Sequence, residues 1–295
     1  MIESITIISK SGKGSIDIGM DGHQEYWLES VDWGQVEGSH LDYTYYNQVG
    51  SSIVSTRLLT RPLSIQGWVI EDNIPLATRC NFLNRYISPT EDYILQYGDY
   101  QIPFRPDNSI RYGKEHTTNN VKMRHFLIQA TCPFPLFTKT IATIVPFDFS
   151  SSKFKFPTDF GQSGGLVFAT TEKIFNTTID NPGGFPTGVT IQISFKGTVK
   201  NPRIVDLKTS ELIGVNQTFV TGDTLTLTTS PGNKTMVLRN SAGKVSNVIR
   251  YRNVKTTWLQ LQPGSNVWSI DCDDLTQREA MDVIVSFTPL YLEVE

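Results

Sequence analysis

Apolar and polar residues alternate through most of the second half of the chain. In GVTIQISF (188–195), Val189, Ile191, Ile193 and Phe195 fall on one side of an extended backbone, and Thr190, Gln192 and Ser194 on the other. Successive side chains of a strand point to opposite faces, so this is a strand with one buried face. DTLTLTT (223–229) repeats the pattern, with Leu225 and Leu227 facing one way and threonines the other. TMVLR, WLQL, NVWSI and MDVIVSF follow, separated by SPGN, NSAG and QPGS. Short strands broken every ten residues or so (roughly) by Gly, Pro, Asn and Ser predict an antiparallel sandwich or barrel over 160–295. A short helical turn is expected at 274–280. In WLQLQPGSNVWSI (258–270), Pro263 sets φ for a tight turn, Gly264 takes the positive φ that follows, and Ser265 and Asn266 bond exposed backbone groups. The two flanking strands are expected to lie antiparallel and share a core.

The first half is mixed. SIQGWVI (64–70) and the stretch 121–130 read as strands. In the latter the apolar parity changes between Met123 and Phe126, which predicts a bulge at Arg124 and His125. Between them, IPLATRCNFLNRYI (74–87) places Leu76, Cys80, Leu83 and Ile87 on one stripe of a helix. Asp72 or Asn73 is expected to cap it, Pro75 to sit in its first turn and Pro89 to lie past its end. SGKGS (11–15) lacks the glycine spacing of a phosphate loop and reads as a hairpin turn. The segment 143–165 reads as an ordered connector whose Phe147, Phe149, Phe154, Phe156 and Phe160 pack on a domain; the alternative is an exposed aromatic patch for a partner. A chain of 295 residues accommodates two cores. The expected division is a domain over 1–140, a connector over 141–165 and a second domain over 166–295.

Composition changes this picture little. Hydrophobic residues make up 39% and charged residues 19% of the chain, as in ordinary globular proteins. The net charge of -3 supplies no global positive field for nucleic acid or anionic lipid. Cys80, Cys132 and Cys272 are odd in number and far apart, which predicts buried thiols and no disulfide framework. The N-terminal MIESITIISKSG does not have the pattern of a signal peptide, and no stretch approaches the roughly 20 apolar residues that cross a bilayer. Synthesis in a cytoplasm without membrane insertion is therefore expected. The Asn-x-Thr triplets at Asn176, Asn216 and Asn233 are then chance pairings in turns and strands.

Candidate chemistry is sparse. His23, His40, His116 and His125 have no metal-type spacing. The acidic pairs Glu71–Asp72, Glu91–Asp92 and Asp271/Asp273–Asp274 would suit a glycosidase only if assembled at a fixed separation, and each sits beside a predicted turn or cap. Arg57, Arg61, Arg79 and Arg85 form the only basic grouping considered for nucleic acid, and a solvated face is the simpler reading. Trp68, Trp258 and Trp268 lie in alternating strands, where core filling competes with sugar stacking. No catalytic, cofactor-binding or metal-binding residue is assigned, and no interface residue is identified.

Several segments, in order, resemble the distal tail proteins (Dit) of long, flexible-tailed phages, the siphophages that infect Gram-positive hosts. They are TRPLSIQGWVIED followed by the helix, HFLIQATCPFPLF (125–137), IDNPGGFPTGVTIQISFKGTVKNPRIVDLKTSELI (179–213), SPGNKTMVL, WLQLQPGSNVWSI and the closing FTPLYLEV. The chain departs from the family pattern at Phe134 and Phe137, carries an extra turn in DCDDLTQREAM (271–281), and lacks the long insertions that hold sugar-binding modules in some relatives. The resemblance implies a mainly β protein: an N-terminal β-sandwich or split barrel with one amphipathic helix, and a C-terminal galectin-like β-sandwich. It implies a homo-hexameric ring made by the N-terminal domain at the tip of the virion tail. That ring would join the tail tube, built of major tail protein, to a tail-associated lysin or receptor-binding protein, and pass the tape-measure protein and DNA. It further implies a non-enzymatic part with no cofactor, no sequence-specific nucleic-acid binding and no membrane insertion, made in a bacterial host and encoded by a phage or prophage. The alternative is a carbohydrate-binding module at the tail tip, using Trp258 or Trp268; a tail-tip hydrolase is a third.

Overall fold

The computed structural model describes residues 4–20, 25–113, 122–152, 169–173 and 175–294. The chain divides into two compact units: Met1–Thr140 with Tyr291–Glu295, and Ile141–Leu290. Residues 291–295, expected in the second domain, thus belong with the first.

The first unit is built on β1 (Ser4–Ser9), β2 (Ser15–Gly19), β3 (Tyr26–Asp32), β4 (Gly38–Tyr43), β5 (Ser52–Leu58), β6 (Arg61–Ile70), helix α1 (Leu76–Tyr86), β7 (Tyr93–Tyr97), β8 (Tyr100–Pro106), β9 (Arg111–Tyr112), β10 (Met123–Cys132) and β11 (Phe137–Lys139). The SGKGS segment is the hairpin turn expected, with Gly12 and Gly14 at φ +86° and +92° between antiparallel β1 and β2. Strands β8, β7, β1, β2, β3, β6 and β10 neighbour one another in that order. β10 then returns to β8 through Ala130↔Pro106 and Thr131↔Arg105, closing a barrel. Its interior holds the inward residues of each strand, among them Ile7, Ile65, Leu95, Ile102, Phe126 and Ile128. Gly67 on β6 is required by the close approach of its neighbours on β3 and β10. A Cβ there would lie 2.3 Å from the Trp27 carbonyl oxygen and 2.7 Å from the Phe126 ring.

Helix α1 buries Leu76, Cys80 and Leu83, with Ile87 just past its end, as its stripe predicts. Burying a side chain such as Leu83 contributes about 1.5–3 kcal/mol. The pattern did not show that Arg79 and Tyr86 are buried too. The Tyr86 hydroxyl accepts the Ser9 N–H at 3.2 Å and lies 2.6 Å from the Gly14 carbonyl oxygen, fastening the helix end to the β1–β2 hairpin. The expected cap is corrected. Pro75 occupies the N-cap with no side-chain cap bond. Asp72 instead accepts the Ile74 N–H at 3.1 Å and Arg79 at 2.6 Å, while Glu71 accepts the Leu76 N–H at 3.4 Å. The expected bulge is corrected as well. β10 pairs with β6 in unbroken register from Met123↔Ile70 to Cys132↔Arg61. The parity change arises because Met123 is only half-buried near the strand's start. The register shift of this sheet lies on β3, between Leu28 and Ser30.

In the second unit one sheet runs Thr143–Pro146, Met281–Phe287, Thr187–Phe195, Thr224–Thr228, Thr235–Arg239 and Val245–Asn247. The other runs Asn176–Asn181, Gly264–Asp271, Arg203–Asp206 and Leu212–Gly214. Val189, Ile191, Ile193 and Phe195 from the first sheet share one core with Ile204, Ile213, Trp268 and Ile270 from the second, as a sandwich requires. Phe147 joins this core. The Phe149 side chain, Phe154, Phe156 and Phe160 lie outside the described residues. The helical turn expected near 274–280 is the 3-10 turn Leu275–Ala280, capped by Asp274 accepting from Thr276.

The Pro-Gly turn has its expected conformation, with Gly264 at φ +80°. Asn266, 2% exposed, accepts the Gln262 N–H at 2.9 Å and places its amide nitrogen 2.8 Å from the Gln262 and Gly264 carbonyl oxygens. Its flanking strands, however, do not pair with each other. Gln260–Leu261 joins Thr187–Gly188 in the larger sheet, whereas Gly264–Asp271 lies in the smaller one. The turn therefore carries the chain across the sandwich, and the shared core holds because Leu259, Leu261, Trp268 and Ile270 all enter it.

Candidate assembly site

Between β3 and β6 the chain leaves the barrel as the β4–β5 hairpin, a two-stranded sheet of its own. Its strands pair from Gly38↔Leu58 to Tyr43↔Ser52, with a register shift at Leu41/Asp42. At the tip, Asn47 and Gly50 take φ of 66° and 81°. Gln48 closes the turn by accepting the Tyr45 N–H on its side chain at 3.1 Å. Leu41, Ile53 and Val54 are about three-fifths exposed, and Tyr46 and Val49 are 96% and 102% exposed. An isolated two-stranded hairpin is marginal in water, and open strand edges beside exposed apolar side chains mark an association surface. Sequence reasoning missed this element. The signal available was YTYYNQVG, a tyrosine-rich run with turn-forming Asn47 and Gly50 between two stretches of β-favouring residues.

The barrel is completed from the far end of the chain. Arg61, expected on a solvated face, is fully buried. It meets Glu293 at 3.1 and 3.3 Å, donates to the Leu292 carbonyl, and sits 4.9 Å over the Phe137 ring. Tyr291 packs edge-on against Tyr100 at 5.4 Å. Arg79 is buried as well, paired with Asp72. Only Arg57 and Arg85 of that grouping are exposed, so the four do not form one basic face.

The acidic pairs are occupied as ion-pair and capping groups. Glu91 accepts Lys13 at 2.7 Å and the Ser11 hydroxyl at 3.0 Å, and the Lys13 bond foremost holds its carboxyl below the usual range. Asp92 pairs with Arg105 at 2.8 Å, which lowers its carboxyl in the same way. Asp271 is partly buried, which alone raises a carboxyl, but the bonds from Arg278 at 2.8 Å and Arg203 at 2.7 Å outweigh burial and lower it. Asp273 takes Asn201 and Arg203, and Asp274 caps the 3-10 turn. A glycosidase acid needs a raised pKa; at Glu91, Asp92, Asp271 and Asp274 the partners lower it.

His40 contacts the Thr56 hydroxyl at 2.8 Å, and His125 meets Glu29 at 3.1 Å beside Trp68. His23 and His116 lie outside the described residues. Among the described residues no three His, Cys, Asp or Glu side chains gather as a metal site. Cys80, Cys132 and Cys272 are free and buried, and burial pushes the Cys132 thiol up to about 12. Trp268 is fully buried and donates from Nε1 to Asp206 at 3.2 Å, so it fills the core and offers no stacking face. Trp258 is half-buried, with the Lys234 ammonium 5.7 Å from its ring centre.

Comparison with known proteins bears out the resemblance stated from the sequence. Residues 182–291 match the family model described as siphovirus-type tail component, C-terminal domain. The chain shares its fold with the Dit protein of phage SPP1, described as a paradigm of the hub adsorption apparatus in phages infecting Gram-positive bacteria. The two are 14% identical, with a TM-score of 0.66 over 98% of this chain and 99% of that one. Two structures of the phage P2 baseplate in its activated conformation also align, at 8% identity. The one with Ca gives a TM-score of 0.49 over 100% of both chains, and the one with Sr gives 0.46 over 99% of both. No curated protein sequence matches the chain. The mainly β class, with a barrel followed by a sandwich, is as expected.

Proposed function

We propose that this protein is the structural hub of a siphophage tail tip, with the first unit assembling six copies into a ring and the second unit serving as a docking module. The observation that carries the proposal is the β4–β5 hairpin. A barrel that is otherwise closed sends out one apolar, two-edged hairpin, and a cyclic assembly would cover it without leaving open edges. The likeness to the SPP1 hub and the tail-component match at 182–291 support the setting. In that setting the ring would join the tail tube above to a tail-associated lysin or receptor-binding protein below, with a lumen for the tape-measure protein and DNA. Carboxylates locked into ion pairs suit a scaffold, not a hydrolase. The division of roles between the unit over 1–140 and the unit that follows is part of the same proposal.

Negative-stain electron microscopy of the purified full chain tests it. Six-fold rings with a central hole are expected; single particles of monomer size at tens of micromolar (roughly, a concentration at which a micromolar interface is filled) would overturn it. The sugar-binding alternative loses Trp268 to the core and keeps only half-buried Trp258.

A further inference from the structure

The free edge of the larger sheet in the second unit is strongly basic in a chain of net charge -3. Between Asp223 and Asp271 there is no aspartate or glutamate, yet this stretch carries Lys234, Arg239, Lys244, Arg250, Arg252 and Lys255. All six are exposed. None belongs to an ion pair among the described residues. The fold gathers the first four at this edge, while Arg252 and Lys255 lie on the segment that runs beside residues 212–215 of the smaller sheet. Thr235–Arg239 and Val245–Asn247 are the last two strands of the sheet, joined by the turn that ends at Lys244. The 3-10 turn Ile249–Tyr251 follows at once, and the Val248 N–H returns to the Met236 carbonyl at 2.9 Å. Arg250 stacks on Tyr251 at 4.6 Å, which fixes its charge in place. Among the described residues no strand pairs with the outer edge of Val245–Asn247.

Cations on an edge strand can serve only to repel another edge. Such a guard needs no apolar surface, but this one has it. Val245 is 56% exposed, with Ile249 and Tyr251 more than a third exposed. A phosphodiester polymer would satisfy the cations and leave these side chains wet. A protein segment carrying carboxylates around apolar residues would satisfy both, and Arg and Tyr are the residue types that dominate such contacts. We infer that this edge, from Lys234 to Tyr251, docks an acidic, partly apolar segment of a partner protein, laid along the open strand.

The inference does not depend on ring formation and is tested on the full-length protein. The probes are a random copolymer of glutamate and tyrosine, poly-glutamate, and an oligodeoxythymidylate. The copolymer is expected to bind, more weakly as salt rises. The double substitution Lys244→Glu/Arg250→Glu should weaken it at least about tenfold, because like charges are then juxtaposed. The matched reversal Lys10→Glu/Arg111→Glu in the first unit should leave it unchanged. Val245→Ser/Ile249→Ser should weaken the copolymer several-fold and leave poly-glutamate unaffected. Unfolding midpoints check that each variant is folded, and native masses recorded alongside read ring formation separately. No binding by the natural chain, or equal binding by the Lys244/Arg250 variant, would overturn the inference. So would oligodeoxythymidylate binding as tightly as the copolymer with no effect of the Val245/Ile249 substitutions.

Discussion

In the second unit, Val189, Ile191, Ile193 and Phe195 face an opposing sheet, and a single turn at Pro263–Gly264 stitches the two sheets together. In the first unit, Leu41, Ile53 and Val54 stand on a hairpin that belongs to no other sheet. Both units are built from the same short strands, yet the strands of the second pack face to face over one shared core, while the first sets a two-stranded hairpin apart in water. A fold stable alone gains nothing by exposing a hairpin, since exposed apolar area forgoes about 25 cal/mol per Å². The difference teaches where to look for assembly. Substitutions in the sandwich core should cost folding free energy, and substitutions on the hairpin should cost association.

The largest effect should come from Trp268→Ala. It empties the centre of the sandwich and leaves Asp206 without its indole donor, for a loss of roughly 3–5 kcal/mol in guanidinium unfolding of the full chain. Next comes truncation after Leu290, which strips Arg61 of Glu293 and the Leu292 carbonyl. Breaking a buried pair costs about 3–5 kcal/mol, and the low end applies because Glu293 is 61% exposed. A drop of about 3 kcal/mol confined to the first unit's transition is expected. It follows that a fragment ending at residue 140 lacks part of its own barrel and is a poor stand-in for the ring-forming unit. Asn266→Ala should cost about 1–3 kcal/mol, as buried backbone groups at the turn lose their partner.

Much of this was legible in the sequence, and the misses have physical reasons. The strand pattern from 187 to 287 was readable because one face of each strand is buried, so parity survives in the residue types. The helix stripe was readable for the same reason. Partners across the fold were not. Nothing local shows that Arg61 is buried, because the carboxylate that allows it lies at Glu293, at the other end of the chain. Nor does WLQLQPGSNVWSI reveal that its strands separate into two sheets, since a tight turn looks the same in a hairpin and in a crossing. The β4–β5 hairpin escaped because both of its faces are exposed, and a strand without a buried face has no alternation to detect.

Two smaller effects sharpen the contrast. Asp271 has a lowered pKa when folded, so its contribution is present above the unfolded value of about 4 and is lost as pH falls through the folded value. Asp271→Asn should therefore flatten the loss of stability below about pH 4, in unfolding curves recorded from pH 6 downward. The smallest effect on folding should come from Tyr46→Ser/Val49→Ser at the hairpin tip, within about 0.5 kcal/mol, since both side chains are already in water.

That same pair gives the most direct test of the account. Native mass spectrometry of the full-length chain should show a six-copy assembly for the natural sequence and a predominantly monomeric protein for Tyr46→Ser/Val49→Ser, with unchanged unfolding curves for the monomer. A variant that assembles as well as the natural chain, or a natural chain that stays monomeric at every concentration, would contradict the claim that this hairpin builds the ring.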